Sequence, residues 1–191
     1  MKKHIIDLRI TFVDRLHPRY VLIKGTPADG SRLPEMLPGQ FAQLKVEGSP
    51  ETYLRRPISI HDVTSDTVTS TNKGEEVSFL IALAGKGTRQ LATLKVGDTL
   101  NCIIPLGRGF SMPTTDAPRI LLCGGGVGIA PLLLMGRRMK EAGFEPTFLL
   151  GGRSAGDILR LSEYEALGKV YVTTEDGSMG EQGFVTQHSL W

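Results

Sequence analysis

Short apolar runs alternate with turn-forming residues along roughly the first hundred positions of the chain. The runs are rich in β-branched residues, and Gly, Pro, Asp and Asn separate them at the spacing of hairpins. This pattern predicts six strands, at residues 5–13, 20–24, 40–46, 58–63, 77–83 and 99–104. Six strands at such spacing favour a closed antiparallel barrel.

Three segments interrupt or follow the predicted barrel strands. The segment GKGTRQLATLKVGD predicts a short helix with Thr88 as its cap and with Leu91 and Leu94 on one face. The stretch 64–76 is polar and without periodicity, which predicts a mobile hairpin tip with no chemistry of its own. Residues 111–118, SMPTTDAP, predict a linker.

The pattern changes after the linker to one of parallel α/β structure. Apolar strands are predicted at 119–123, 147–150 and 170–173, with helices at 130–142 and 162–167, the first of them ended by Gly143. A strand, a glycine turn, a helix and a strand make a βαβ unit. Three parallel strands are half of a doubly wound sheet, so the prediction is a partial Rossmann-like domain with one edge uncovered.

Composition and charge exclude several classes of function. The 191 residues carry a formal net charge of +2 and no basic stripe, which argues against nucleic acid as a partner. No apolar run reaches the roughly 20 residues of a membrane span, and the charged start MKKHIIDLRITF is unlike a signal peptide, so a cytoplasmic protein is predicted. Two cysteines, Cys102 and Cys123, are too few for a disulfide framework or a four-thiolate metal site, and buried packing is the predicted role of both.

The segment GGGVGIAP, from Gly124 to Pro131, has the strongest chemical signal in the chain. It follows the strand ILLC and precedes a helix, where glycines allow backbone amides to approach a diphosphate and Pro131 suits the first helical turn. The next strand ends in Gly151, Gly152, Arg153 and Ser154 rather than in the acidic residue of the usual dinucleotide fingerprint. A turn required only for packing is the alternative interpretation.

Three further motifs lie in the barrel half. In LRRPISI an Arg precedes Pro57, which places a guanidinium where it can clamp a phosphate, and Ser59 carries a hydroxyl able to bond a ring nitrogen. In GKGT a glycine turn enters a helix beside Lys86, which suits a phosphate group. PLGRGF, residues 105–110, can present backbone to a flat ring. A surface arginine pair, a plain helix entry and a simple interdomain turn are the respective alternatives.

The order of barrel, RPIS, GKGT, PLGRGF and GGGVGIAP resembles the ferredoxin reductase superfamily and, within it, the electron transfer subunits of bacterial class 1B dihydroorotate dehydrogenases. The resemblance covers nearly the whole chain. It implies a six-stranded Greek-key barrel that binds FAD, residues 1–111, followed by an α/β domain that binds NAD as co-substrate, residues 119–191. It also implies hydride transfer from reduced flavin to NAD, a catalytic partner subunit that contains FMN, a heterotetrameric complex and a place in pyrimidine biosynthesis.

The resemblance assigns cofactor contacts to positions that match the motifs of the family. Ser59 would be the catalytic residue, because its hydroxyl would bond N5 of the flavin. The residues implied to bind FAD are Arg56, Pro57, Ile58, Ser59, Leu80, Ile81, Ala82, Lys86, Gly87 and Thr88. The residues implied to bind NAD are Gly124, Gly125, Gly126, Val127, Gly128, Glu175, Asp176 and Gly177.

The C-terminus departs from the pattern of these relatives, which continue into a cysteine-rich segment that ligates a [2Fe–2S] cluster. The chain stops at Trp191, which predicts a truncated form without a metal site, the cluster being expected only in a longer form. Two other functions stay open: the flavin subunit of a ferredoxin:NAD(P) or sulfhydrogenase-type oxidoreductase, and a flavin-free interaction module. The choice between NAD and NADP also stays open, because Arg153 could meet a 2′-phosphate.

Overall fold

The computed structural model describes residues 2–64, 75–114 and 119–191. Most of the predicted hairpin tip and the second half of the predicted linker, residues 65–74 and 115–118, lie outside this part of the chain. Two compact units make up the chain, Met1–Gly109 and Phe110–Trp191.

The first unit is an antiparallel sheet with one short helix. Its strands are β1 His4–His17, β2 Tyr20–Pro27, β3 Phe41–Leu44, β4 Arg56–Ser59, β5 Asp62–Thr64, β6 Glu76–Ala82 and β7 Thr99–Leu106, and its helix is α1 Lys86–Leu91. Their order in the sheet is β4-β3-β7-β1-β2-β6-β5. The prediction of an antiparallel barrel followed by a parallel α/β domain is confirmed, and the structure has seven barrel strands instead of six.

The extra strand arises because one predicted strand, 58–63, changes partners along its length. β4 pairs with β3, whereas β5 pairs with β6 at the opposite end of the sheet order. Between them, Ile60 N donates to Gln40 O over 2.9 Å and His61 N donates to Ser78 O over 2.9 Å. The segment therefore joins the two edges of the sheet, which is how a barrel removes exposed edges.

Alternating burial along the strands explains why the first unit closes around a core. In β1, Leu8 and Ile10 are buried whereas Asp7, Arg9 and Thr11 are exposed, as expected for one face turned inward. The largest fully buried side chains of the unit come from five strands and from the connection between β4 and β5: Leu8, Ile10, Leu22, Ile23, Leu44, Ile60, Phe79, Leu80, Ile81 and Leu100. Each such side chain contributes roughly 1.5–3 kcal/mol.

The second unit is a parallel sheet with two helices. Its strands are β8 Leu121–Gly125, β9 Thr147–Gly152, β10 Lys169–Thr174 and β11 Glu181–Gln182, and its helices are α2 Leu132–Glu141 and α3 Leu161–Glu165. The order is β11-β10-β9-β8, with every neighbouring pair parallel. The prediction of three parallel strands is wrong by one, because β11 consists of two polar residues and gives no apolar run.

Helix α2 packs closely on the sheet at a glycine. A Cβ on Gly136 would lie 2.4 Å from Cζ of Phe148 in β9, so only glycine fits this contact. Phe148 also meets Tyr164 of α3 edge to face, with ring centroids 5.3 Å apart, and the Tyr164 hydroxyl donates to Ile129 O over 2.9 Å. None of the helices in the described residues is long and apolar enough to cross a membrane.

Candidate functional site

The two arginines of the RRPIS motif have different environments. Arg55 donates to the backbone carbonyls of Gln43 and Asn101, each over 3.2 Å, and to the side-chain oxygen of Asn101. Arg55 therefore connects the segment that leads into β4 with strands β3 and β7. The side chain of Arg56 is half-buried and forms no hydrogen bond or ion pair with the residues that the structure describes. Arg56 is consequently the arginine that remains available to a ligand.

The RPIS and GKGT motifs, about 30 positions apart in the sequence, meet at Gly87. A Cβ placed on Gly87 would lie 2.4 Å from Nε of Arg56 and 3.0 Å from Cγ2 of Thr52. The arginine side chain therefore passes directly over the glycine backbone, which is buried. We call Arg56, Gly87 and Thr88 the arginine–glycine cradle.

Backbone amides at the start of α1 lie at this cradle. The first helical hydrogen bond runs from Arg89 N to Gly85 O over 3.0 Å, so the amides of residues 86–88 precede the internal ladder of the helix. The prediction that Thr88 caps the helix is wrong, because Gly85 is the N-cap. The Thr88 hydroxyl instead donates to Gly85 O over 3.1 Å and accepts from Gly85 N over 3.0 Å, which leaves its backbone amide as its group for a ligand.

Lys86 lies outside the cradle in the structure. Its ammonium forms an ion pair with Glu51, and both side chains are about two-thirds or more exposed. In the same loop, Thr52 N donates to Ser49 O over 2.9 Å. Sequence reasoning missed Glu51 and Thr52, since neither belongs to a motif; only the tertiary contact of this loop with α1 reveals them.

The remaining predicted FAD residues line β4 and β6. Ser59 is half-buried opposite Phe41 of β3, and its hydroxyl forms no hydrogen bond with the described residues. Pro57 is exposed and Ile58 is half-buried. In β6 the side chains of Leu80 and Ile81 are buried in the core and Ala82 is half-buried. Any contact of Leu80 or Ile81 with a cofactor would therefore involve their backbone.

The glycine turn of the second unit has the shape that close approach of a ligand requires. Gly126 adopts φ +54°, which favours glycine, and a 3-10 turn at Gly126–Ile129 leads to Pro131 at the N-cap of α2. Helix α2 thus begins two residues later than predicted. A Cβ on Gly124 would lie 3.0 Å from Cδ1 of Leu132, whereas one on Gly128 would meet nothing within 4 Å. Gly128 therefore borders open space.

The acidic turn after β10 lies beside the end of β9. Glu175 N donates to Gly152 O and Asp176 N to Arg153 O, each over 3.1 Å. The Asp176 carboxylate accepts from the hydroxyl and amide of Ser178, which lowers the pKa of that carboxyl group. Since Gly125 of β8 pairs with Gly151 of β9, the predicted NAD residues meet at one edge of the sheet, the edge where parallel sheets bind ligands.

The two cysteines differ in accessibility. Cys102 is buried, and desolvation raises the pKa of its thiol to about 12. Cys123 is exposed, which corrects the prediction that it packs in the interior; it lies on β8, the last strand in the sheet order. Among the described residues there is no group of three or more His, Cys, Asp or Glu side chains that could hold a metal ion.

The exposure of Cys123 gives a simple test of this part of the structure. A small aromatic disulfide reagent is expected to modify one thiol per chain in the native state and the second only after denaturation, because the thiolate is the reactive form and Cys102 is desolvated. A Cys123→Ser variant should lose the native-state reaction. Modification of both thiols at similar rates in the folded protein would contradict the placement of Cys102.

The curated relatives of the chain include electron transfer subunits of dihydroorotate dehydrogenase B. No family model matches the chain. It is 40% identical over 152 residues to the electron transfer subunit of dihydroorotate dehydrogenase B (NAD(+)) of Shouchella clausii, which covers 78% of this chain and 55% of the relative. The corresponding subunit of Listeria monocytogenes is 40% identical over 160 residues, or 82% of this chain and 59% of the relative. The chain thus spans less than two thirds of the length of these relatives.

Solved structures with the same architecture include redox proteins. The chain is 28% identical to a chain from a structure of NADH-dependent reduced ferredoxin-NADP oxidoreductase, with a TM-score of 0.75 over 94% of this chain and 60% of the other. It also matches the flavohem-like FAD/NAD-binding domain of nitric oxide dioxygenase from Vibrio cholerae, with a TM-score of 0.79 over 97% of this chain and 81% of that domain. The second match, at 20% identity, concerns the fold alone.

Proposed function

Because the chain has the fold of a ferredoxin-NADP oxidoreductase chain and is similar to the electron transfer subunits of dihydroorotate dehydrogenase B, we propose that it belongs to the ferredoxin reductase superfamily and binds FAD in its first unit and NAD in its second. The observation that carries the proposal is the arginine–glycine cradle. It joins an arginine whose side chain has no partner among the described residues to a glycine whose added Cβ would collide with that arginine.

The cradle suits the diphosphate of FAD in charge and in shape. The guanidinium of Arg56 presents several N–H donors in a plane, which matches phosphate oxygens. Gly87 lets its backbone approach, and the amides of residues 86–88 supply further donors. Lys86 is engaged with Glu51, so in this proposal it contributes at most long-range charge.

The flavin end would lie along β4. The hydroxyl of Ser59 would donate to or accept from a ring nitrogen, and the pairing of Ser59 with Phe41 fixes the backbone position from which the side chain extends. When bound, FAD supplies exchange of electrons between a nicotinamide and other redox carriers. The protein then needs no nucleophile or general base, and its contribution is to bind and orient.

In the second unit, the glycine turn would hold the diphosphate of NAD. The backbone of residues 124–128 lies at the carboxyl edge of the parallel sheet, where nucleotides bind in such folds. The open space beside Gly128 supports this proposal. The turn at 175–177 would contact the same nucleotide from the end of β10, since the amides of residues 175 and 176 donate hydrogen bonds to the carbonyls of Gly152 and Arg153.

The partner and the pathway follow from the names of the relatives and are proposals for this chain. The Shouchella and Listeria proteins are electron transfer subunits, which supports a partner subunit that carries the catalytic site. We infer that this partner is a dihydroorotate dehydrogenase catalytic subunit containing FMN, in a heterotetramer that acts in pyrimidine biosynthesis. A cytoplasmic location is also proposed, supported by two free thiols, one of them exposed.

A second candidate function is the flavin subunit of a ferredoxin:NAD(P) oxidoreductase. The 28% identity to the NADH-dependent reduced ferredoxin-NADP oxidoreductase chain favours it, as does exposed Arg153 at the end of β9, which could meet a 2′-phosphate. Steady-state oxidation of NADH and NADPH by the FAD-loaded protein separates the two functions. The first predicts a preference for NADH, and a preference for NADPH would favour the second.

Replacing the two neighbouring arginines is expected to separate binding from folding. Arg56→Ala should weaken FAD binding about 30-fold, since a hydrogen bond to a charged group is worth about 2 kcal/mol, with little loss of stability. Arg55→Ala should instead lower the free energy of unfolding, because Gln43 O and Asn101 lose their donor. Calorimetric titration with FAD and urea denaturation measure the two quantities on each variant.

The wild-type protein is the first control for the two arginine variants. It is expected to be yellow, or to become so when reconstituted with FAD, and to show no iron–sulfur absorption. A wild-type protein that binds no FAD would leave only the flavin-free interaction module. FAD binding that is indifferent to Arg56→Ala would remove Arg56 from the site.

A further inference from the structure

Two neighbouring apolar side chains are unusually exposed just before the RRPIS motif. Tyr53 is 92% exposed and Leu54 is 74% exposed. Among the described residues, Tyr53 has no hydrogen bond, ion pair or ring contact. No contact within the described part of the unit therefore requires an aromatic ring at this position.

The backbone nevertheless holds Tyr53 close to the arginine–glycine cradle. Thr52, the residue before it, places its methyl group 3.0 Å from the Cβ position of Gly87, and Arg56, three residues after it, passes over the same position. Consecutive Cα atoms are about 3.8 Å apart, so Tyr53 starts within one residue of a contact with Gly87. Its ring is thus within side-chain reach of a ligand in the cradle.

The order of the residues along this segment matches the order of the groups in FAD. Ser59 is proposed to meet the flavin, and Arg56, three residues earlier, the diphosphate. Tyr53 is three residues earlier again, and the group that follows the diphosphate in FAD is adenosine. The chain bends at Leu54 and returns to Gly87 at Thr52, which keeps Tyr53 beside the cradle.

We propose that Tyr53 is a binding residue for the adenine ring of FAD, which it holds by stacking. The inference rests on the proposed binding of FAD and adds a residue for the half of the cofactor that the sequence motifs leave without a contact. An exposed phenol ring offers a flat apolar face to a base, and stacking of a base on an aromatic side chain is sequence-tolerant and strong.

The proposal is tested with three ligands that contain different parts of the cofactor: FAD, ADP and FMN. ADP has the adenine and the diphosphate without the flavin, and FMN has the flavin without the adenine. For Tyr53→Ala we expect about tenfold weaker binding of FAD and of ADP, with unchanged binding of FMN. Tyr53→Trp should restore FAD and ADP binding, because it keeps an aromatic face. Calorimetric titration gives all the affinities without reference to turnover.

Phe12→Ala is the matched control. Phe12 is an exposed aromatic residue of the same unit, on β1, which pairs with β2 and β7 and not with β4. Its loss should leave all three affinities unchanged.

Each remaining outcome counts against the proposal in a distinct way. Equal FAD binding by Tyr53→Ala and the wild type would overturn it and leave the proposed function intact, and Tyr53 would then be a candidate contact for a partner protein. Weaker FMN binding by Tyr53→Ala would place the ring against the flavin and overturn the adenine assignment. No FAD binding by the wild type would overturn both proposals.

Discussion

A Gly87→Ala variant is expected to bind FAD at least about 100-fold more weakly than the wild type while it still folds. The added methyl group would lie 2.4 Å from Nε of Arg56, closer than non-bonded atoms approach. Arg56 has a flexible side chain with no partner in the part of the chain that the structure describes, so it can move aside with little loss of stability. Its guanidinium then leaves the cradle.

The expected loss exceeds that of Arg56→Ala because two effects add. Displacing the guanidinium removes a charge-assisted contact worth about 2 kcal/mol. The methyl group also occupies the space through which the diphosphate would approach the amides of α1. Together these effects reach about 2.7 kcal/mol or more, which corresponds to about 100-fold in the dissociation constant.

Gly85→Ala is the matched control, two residues away. Gly85 has φ −147°, an extended conformation open to any residue, and a Cβ there would meet nothing within 4 Å. FAD binding should therefore change little. Titration of both variants with FAD, together with their unfolding curves, decides the matter: equal affinities for Gly87→Ala and Gly85→Ala would contradict the cradle.

The sequence was sufficient for the architecture because periodicity and turn residues are local signals. The runs that became β1, β2, β6 and β7 are long and clearly bounded, and the motif GGGVGIAP marked the turn between β8 and α2. The sequence alone could not show that Arg55 and Arg56 have different roles. That distinction depends on Asn101 and Gln43, which reach Arg55 only through the sheet.

The errors also have physical causes. Thr88 was predicted as a cap from its residue type, but glycine at 85 allowed the helix to start one turn earlier. Cys123 was predicted to be buried because it lies in an apolar strand and free cysteines usually pack in the interior, whereas β8 is the last strand in its sheet order. β11 was missed because Glu181 and Gln182 pair with β10 without any apolar residue.

The turn between β10 and β11 contains a glycine at which an added methyl group is expected to reduce stability strongly. Gly180 has φ +66°, and a Cβ on it would lie 1.9 Å from O and 2.5 Å from C of Val172. These are backbone atoms in the middle of β10, so they cannot move without breaking the strand pairing. Gly180→Ala should therefore lower the free energy of unfolding of the second unit by about 3 kcal/mol or more, from overpacking together with the left-handed conformation.

Gly143→Ala separates these two contributions. Gly143 also has a left-handed conformation, φ +84°, but a Cβ there would meet nothing within 4 Å, so about 1 kcal/mol is expected. Trp191, the only tryptophan of the chain, belongs to the second unit, and its fluorescence during urea denaturation reports on both variants. If both variants lost the same stability, backbone conformation would account for the whole effect. The close approach of Gly180 to Val172 of β10 would then be contradicted.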